Sequence, residues 1–167
     1  PRPAFLRGPA GTTLRAHLDG RSLPQALGLL EGTSWNHAFS RDELARAHLG
    51  SAAWVGAVDA GGALVATARA TSDGGKYAWV YDVCVRTDRR REGVGQALVR
   101  LLLAHPAVRR CRRVRLGTRD AQPLYRRFGF VDVASLAGAT SSSELVLVRQ
   151  EGAGPPLAEG PAGRGRG

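Results

Sequence analysis

The chain has 167 residues, 43% of them hydrophobic, and a formal net charge of +10. That length suits one domain with a real core, and the ordinary apolar share excludes a chain disordered throughout. No apolar run approaches a membrane span, no signal-peptide pattern is present, and Cys84 and Cys111 alone make no disulfide framework, so a cytoplasmic setting is expected.

Residues 1–11 are rich in Pro and Gly and read as a flexible N-terminal arm. A first strand is expected over 13–17, then two short helices over 23–30 and 41–49. Ser40 caps the second helix, with Glu43 at the capping-box position. Strands over 54–59 and 64–71 form a hairpin through Ala60, Gly61 and Gly62. An apolar strand follows at 79–85. Val94, Ala97, Leu98, Leu101 and Leu102 then make one helical stripe, which Pro106 ends. A strand over 114–118 precedes a helix around Tyr125, for which Asp120 is the expected N-cap and Gly129 the C′ residue; Leu124 and Phe128 are expected to pack on the sheet. The alternation at 144–150 fits a last strand. Residues 151–167 hold 9 Gly or Pro and no aromatic residue, which predicts a disordered tail. The expected domain is therefore 12–150. Its class is α/β, a mixed and mostly antiparallel sheet with one crossover helix between two parallel strands.

The stretch between the 79–85 strand and the next helix carries the chemistry. Arg90, Arg91, Glu92, Gly93, Val94 and Gly95 read Arg-x-x-Gly-x-Gly. Two glycines allow a close approach of backbone to ligand, and the helix behind them turns free amides and the positive end of its dipole to the same place. That suits a pyrophosphate, with Arg90 at the mouth. A Walker loop is excluded, because the only lysine, Lys76, lies far from these glycines. A dinucleotide fingerprint is excluded too, because Leu98 stands where its third glycine belongs. Downstream, Ala121, Leu124, Tyr125, Gly129 and Phe130 form the pattern Ala-x-x-Leu-Tyr-x-x-x-Gly-Phe.

The two motifs, in this order with a strand between them, resemble those of the GNAT superfamily of N-acetyltransferases; the likeness is firm from 79 to 133. The resemblance implies a GNAT-like sheet with a splayed parallel strand pair and helices on both faces. It implies acetyl-CoA as cosubstrate. Its pantetheine arm would lie along the backbone of Val83, Cys84 and Val85, and its pyrophosphate on the amides of Arg91, Glu92, Gly93, Val94, Gly95 and Gln96. Tyr125 takes the role of proton donor to the leaving thiolate, which a phenol with a pKa near ~10 can fill while neutral. Asp82, a carboxylate in an apolar strand, is the candidate base; pairing with backbone or an arginine is an equal alternative. Glu43, His37 and Asp120 are weaker bases, and water can replace a dedicated one. Trp35 and His37, in the polar segment between the first two helices, resemble the region that covers the amine pocket. The acceptor is expected to be a primary amine of a small molecule or peptide, and a homodimer is compatible with this reading. No metal-ligand spacing and no serine-hydrolase elbow is present.

The charge is unevenly placed. Residues 86–127 hold 13 basic and 3 acidic residues, so that segment carries the whole +10, while the rest balances. An anionic cofactor would be drawn there, and so would a nucleic-acid backbone. Genomic bias offers a third account, since 23 of the 24 basic residues are arginine. A polyanion-binding module built on arginine clusters therefore stays open, although regularly interleaved aromatics are missing. A GNAT-like CoA-binding protein without catalysis also stays open.

Overall fold

The computed structural model describes residues 5–136. They fall in two compact units, Pro1–Phe130 and Val131–Gly167. Of the second, the described part contains one 3-10 turn, Val133–Ser135. The strand expected at 144–150 and the tail at 151–167 lie outside the described residues.

Among the described residues of the first unit, six strands form one sheet in chain order: β1 (Phe5–Arg7), β2 (Thr13–Arg15), β3 (Ala53–Val58), β4 (Leu64–Ser72), β5 (Tyr77–Val85) and β6 (Arg113–Arg115). Successive strands pair antiparallel up to β5, and β5 pairs parallel with β6. This is the expected mixed α/β sheet. Strand bounds shift by up to two residues, β2 ending at Arg15 and β5 starting at Tyr77, and two further details differ from expectation. Residues 5–7, within the stretch read as a loose arm, form an edge strand against β2. The β6 strand covers 113–115 rather than 114–118, so its pairing with β5 is brief.

Helices α1 (Leu23–Leu30) and α2 (Arg41–Leu49) have the expected bounds. Ser40 and Glu43 complete a capping box, which satisfies two otherwise orphaned amides. Helix α3 (Val94–Ala104) buries Val94, Leu98, Val99 and Leu102. Val94, Leu98 and Leu102 belong to one core with Ala53, Val55 and Ala57 of β3 and Ala66, Ala68 and Ala70 of β4. The small side chains let the helix lie close to the sheet, and each large side chain removed from water there contributes about 1.5–3 kcal/mol. A second cluster, Leu18, Ala26, Trp54, Val58 and Leu64, forms around α1. Every residue of β3 is buried, as befits a strand covered on both faces.

After α3, His105 takes extended backbone before Pro106, and the short helix α4 (Pro106–Arg109) follows. Helix α5 (Gln122–Arg126) differs from expectation in two ways. Its N-cap is Ala121, not Asp120, and the Thr118 hydroxyl accepts from the Ala121 amide at 3.0 Å. Tyr125 is its buried residue, whereas Leu124 and Phe128 are only partly covered. Gly129 does close the turn at φ 83°, with the Phe130 amide donating to the Tyr125 carbonyl.

Candidate active site

The parallel pairing of β5 with β6 stops at Trp79 and Arg115. Among the described residues, β5 from Val80 onward is paired only on its β4 side, so the two parallel strands part. The Arg86 amide donates to the Val65 carbonyl of β4 at 2.8 Å. Main-chain groups of an antiparallel strand alternate in direction. Val85 and Val83 therefore turn theirs toward the gap, and Cys84 turns its own toward β4. This corrects the expectation for Cys84, whose amide and carbonyl are directed away from the gap. Its thiol donates to the Leu29 carbonyl at 3.2 Å, and burial pushes its pKa up, against a smaller opposing effect of Arg90.

A register shift between Thr67 and Arg69 marks a bulge in the β4–β5 pair, and Asp82 sits in it at φ 52°. The extra residue reverses the strand's parity. Val80, Val83 and Val85 consequently all meet the α3 core, while Asp82 and Cys84 face the α1 side. Asp82 is 8% exposed, and both its oxygens are engaged. Asn36 donates to Oδ1 at 2.9 Å and Arg69 Nε donates to Oδ2 at 2.6 Å. The observed partner of Asp82 is thus an arginine, one of the two alternatives its sequence position left open. Asn36 lies in the loop between α1 and α2, so this bond ties that loop to the strand.

Beyond β5 a 3-10 turn, Thr87–Arg89, leads into the glycine motif. Arg91 has φ 64° and Gly93 φ 79°. Left-handed backbone at a non-glycine residue is strained, and such strain gathers at functional loops. The first amide of α3 returned to the helix is that of Ala97, to the Gly93 carbonyl at 3.0 Å. The amides of Val94, Gly95 and Gln96 precede it and open the helix, as the cradle requires. A Cβ on Gly95 would stand 3.4 Å from Val85 Cγ2, between the loop and the gap strand. Arg90 Nε donates to the Val85 carbonyl at 3.1 Å, which places this guanidinium at the mouth of the gap. Glu92 accepts from Arg89 Nε at 2.7 Å, and Arg89 also donates to the Ala10 carbonyl. The side chain of Glu92 therefore braces the loop; only its amide is available to a phosphate.

Tyr125 follows the C-terminal end of β6, and the glycine motif follows the C-terminal end of β5. Because these strands run parallel, topology brings both motifs to one end of the sheet. The Tyr125 ring is 8% exposed and lies edge-on to Phe130, 5.9 Å between centroids. Burial raises its pKa, which keeps the phenol protonated at neutral pH.

The α1–α2 loop borders a cleft of about 360 Å³ lined by Leu27, Leu30, Thr33, Asn36, Phe39 and Leu44. Trp35 and Phe39 are both 54% exposed. His37 is exposed, with Nδ1 against the Ser34 carbonyl, and holds no carboxylate partner among the described residues. Glu43 is engaged in the capping box, whose hydrogen bonds from Ser40 lower its pKa. Sequence reasoning missed Asn36 and Arg69. The signal for Arg69 was a lone charge among the small apolar residues of β4. Also unforeseen is His48, 1% exposed, with Nδ1 against the Leu44 carbonyl at 2.7 Å and its ring edge-on to Trp54. Among the described residues there is no group of His, Cys, Asp or Glu side chains able to hold a metal, and no helix long and apolar enough to cross a membrane.

Comparison with known proteins agrees with this geometry. No curated protein matches the chain. Among solved structures, a candidate acetyltransferase of the GNAT family from Xanthomonas campestris pv. campestris is 27% identical, with a TM-score of 0.66 over 83% of this chain and 96% of that one. A candidate acetyltransferase from Deinococcus radiodurans R1 is 24% identical, TM-score 0.62, over 87% and 93%. A GNAT-family acetyltransferase from Streptococcus pneumoniae TIGR4 is 20% identical, TM-score 0.63, over 83% and 98%. The last two show likeness of fold. The family model for the acetyltransferase (GNAT) family matches residues 21–130, which span α1, the whole splayed strand pair and both motifs, and so the chain belongs to the GNAT acetyltransferase family.

Proposed function

We propose that this protein transfers an acetyl group from acetyl-CoA to a primary amine of a small molecule or peptide. The observation that carries the reading is the parting of β5 from β6 directly below an open helix N-terminus behind left-handed Gly93. The gap offers main-chain groups of Val83 and Val85 to a pantetheine arm, and the amides from Arg91 to Gln96 offer donors to a pyrophosphate. Arg90 adds charge at the mouth. Acetyl-CoA supplies a thioester acyl group.

In the proposed reaction the acceptor nitrogen forms the new C–N bond and the C–S bond breaks. Amides of the gap strand stabilise the developing oxyanion, a role often worth several kcal/mol in preorganised sites. Tyr125 donates its proton to the departing thiolate and recovers one from solvent, which takes the proton lost by the amine. Asp82 acts through position: held by Arg69 and Asn36, it fixes the bulge and with it the direction of Val83. Trp35 and His37 border the acceptor side.

Thermal-shift measurements with acetyl-CoA, CoA and a short oligonucleotide test the reading. Acetyl-CoA at a hundredfold excess over its dissociation constant should stabilise the fold by about 2.7 kcal/mol. The affinity should fall with salt, as phosphate contacts do. Thiol release on adding an amine panel should then follow. Stabilisation by the oligonucleotide alone would replace this reading with polyanion binding. Stabilisation by acetyl-CoA with no thiol release from any amine would leave a binding protein without catalysis.

A further inference from the structure

The α1-facing side of β5 carries three aromatic residues at every second position: Tyr77, Trp79 and Tyr81. Trp79 and Tyr81 stack at 6.2 Å with their planes 18° apart. Tyr81 is 39% exposed. Cations cover this row at both ends. The Arg69 guanidinium lies 4.8 Å from the Tyr81 centroid, Arg115 lies 5.7 Å from that of Trp79 and 6.0 Å from that of Tyr77, and Lys76 lies 5.1 Å from that of Tyr77.

The two ends differ in charge. Arg69 is neutralised by Asp82. Asp73, whose carboxylate accepts the Lys76 and Tyr77 amides, offsets the Lys76 charge in part. Arg115 has no carboxylate within ion-pair distance among the described residues, so it leaves the far end of the row cationic. A guanidinium stacked on an indole keeps its edge N–H groups for an anion, and partial desolvation by the rings strengthens such a contact.

We propose that the acceptor is a primary amine that also carries an anionic group, its body lying on the Trp79–Tyr81 row and its anion meeting Arg115 beside Lys76. The inference rests on the acetyl-transfer reading only for the fate of the amine. The amine must reach the bulge at Asp82 and Val83, while the anion sits at the level of residue 78. Four strand residues separate these levels, so the nitrogen and the anion stand roughly 10–13 Å apart. An extended tripeptide spans about 10 Å. Carboxylate and phosphate share the needed chemistry, and the probes separate them.

The test uses the full chain, with and without CoA. Three tripeptide probes share a free amine and a central phenylalanine: Gly-Phe-Gly, its C-terminal amide, and the analogue ending in a phosphonate. Binding is followed by calorimetry, with no need for turnover. At least one anionic probe should bind about tenfold tighter than the amide, a difference of about 1.4 kcal/mol. The preferred one names carboxylate or phosphate as the group recognised. Arg115→Gln should bring the anionic and amide probes to within about twofold, and Arg115→Lys should keep part of the preference. The preference in the parent should also shrink with salt, a reading that needs no variant. Equal binding of charged and amide probes, no measurable binding of any probe, or a preference unchanged in Arg115→Gln would each overturn the proposal. Acetyl-CoA binding, measured apart, reports on the acetyl-transfer reading. Its failure beside an intact anion preference would sink that reading and leave the anion site standing.

Discussion

At the scale of single residues, Tyr125 carries the proposed proton transfer and Asp82 the positioning of the gap strand. Tyr125 is buried, and burial raises its pKa. Tyr125→Phe keeps the ring and its contact with Phe130 while removing the proton. Turnover should fall by roughly 10²–10⁴ with acetyl-CoA affinity unchanged. Steady-state kinetics beside a binding titration check this; full turnover with a good amine acceptor would leave solvent as the proton source. Asp82→Asn is the complementary change. It strands the Arg69 charge, whose side chain is 11% exposed. Stability should drop by about 3 kcal/mol, and the pH profile of the remaining activity should keep its shape. A flattened acidic limb would instead make Asp82 the base. Asp82 was legible in the sequence as an anomaly, but its partners were not, because Arg69 and Asn36 lie 13 and 46 residues away along the chain.

At the scale of elements, the junction of β5 and α3 depends on one left-handed residue. Gly93 has φ 79°, and a Cβ there would meet only Pro9 at 3.7 Å, an ordinary contact. The cost of Gly93→Ala is therefore backbone strain rather than collision, about 1–2 kcal/mol. Because the strain falls on the loop that presents the α3 amides, acetyl-CoA affinity should weaken as well. Urea titration and a binding isotherm on the same variant test both effects; unchanged affinity would place the pyrophosphate elsewhere. The motif and the helix behind it were legible because each is local, with glycines at a turn and apolar residues at helical spacing. The brevity of β6 was not. A strand's extent depends on whether its neighbour stays beside it, and β6 parts from β5 after three residues.

At the scale of the whole molecule, pH should act on stability through the buried His48 and the half-buried His105. Burial lowers the pKa of His48 below its ordinary 6.5 and does the same to His105, where His17 adds a smaller repulsion. As pH falls below 6.5 the unfolded chain takes up protons that the native chain refuses, so stability, full above that value, declines as pH passes down through the native values. Glu43, Asp73 and Asp88, also lowered, add the same sign of change only at more acid pH, below their ordinary 4.5 and 3.8. The melting temperature should thus fall between about pH 7 and pH 5, and His48→Phe should reduce that slope, His105 supplying the remainder. A slope identical in parent and variant would show that His48 takes up its proton in the native state.

The sequence by itself determined the class of the fold, the order of its elements from β2 to α5 apart from the short α4, and the position of both motifs. Those features follow from short-range rules: apolar period, a capping box at Ser40, glycines at turns and a proline that stops a helix. Only the tertiary structure decided which groups point into the gap. The bulge at Asp82 reverses the parity of β5, so that Cys84 turns away while Val83 and Val85 turn in. It alone also assembled the Trp79–Tyr81 row with Arg69 and Arg115, since those residues come from three different strands. Which atoms of adjacent strands meet is set by register, and register is fixed by packing across the sheet rather than by any stretch of sequence read alone.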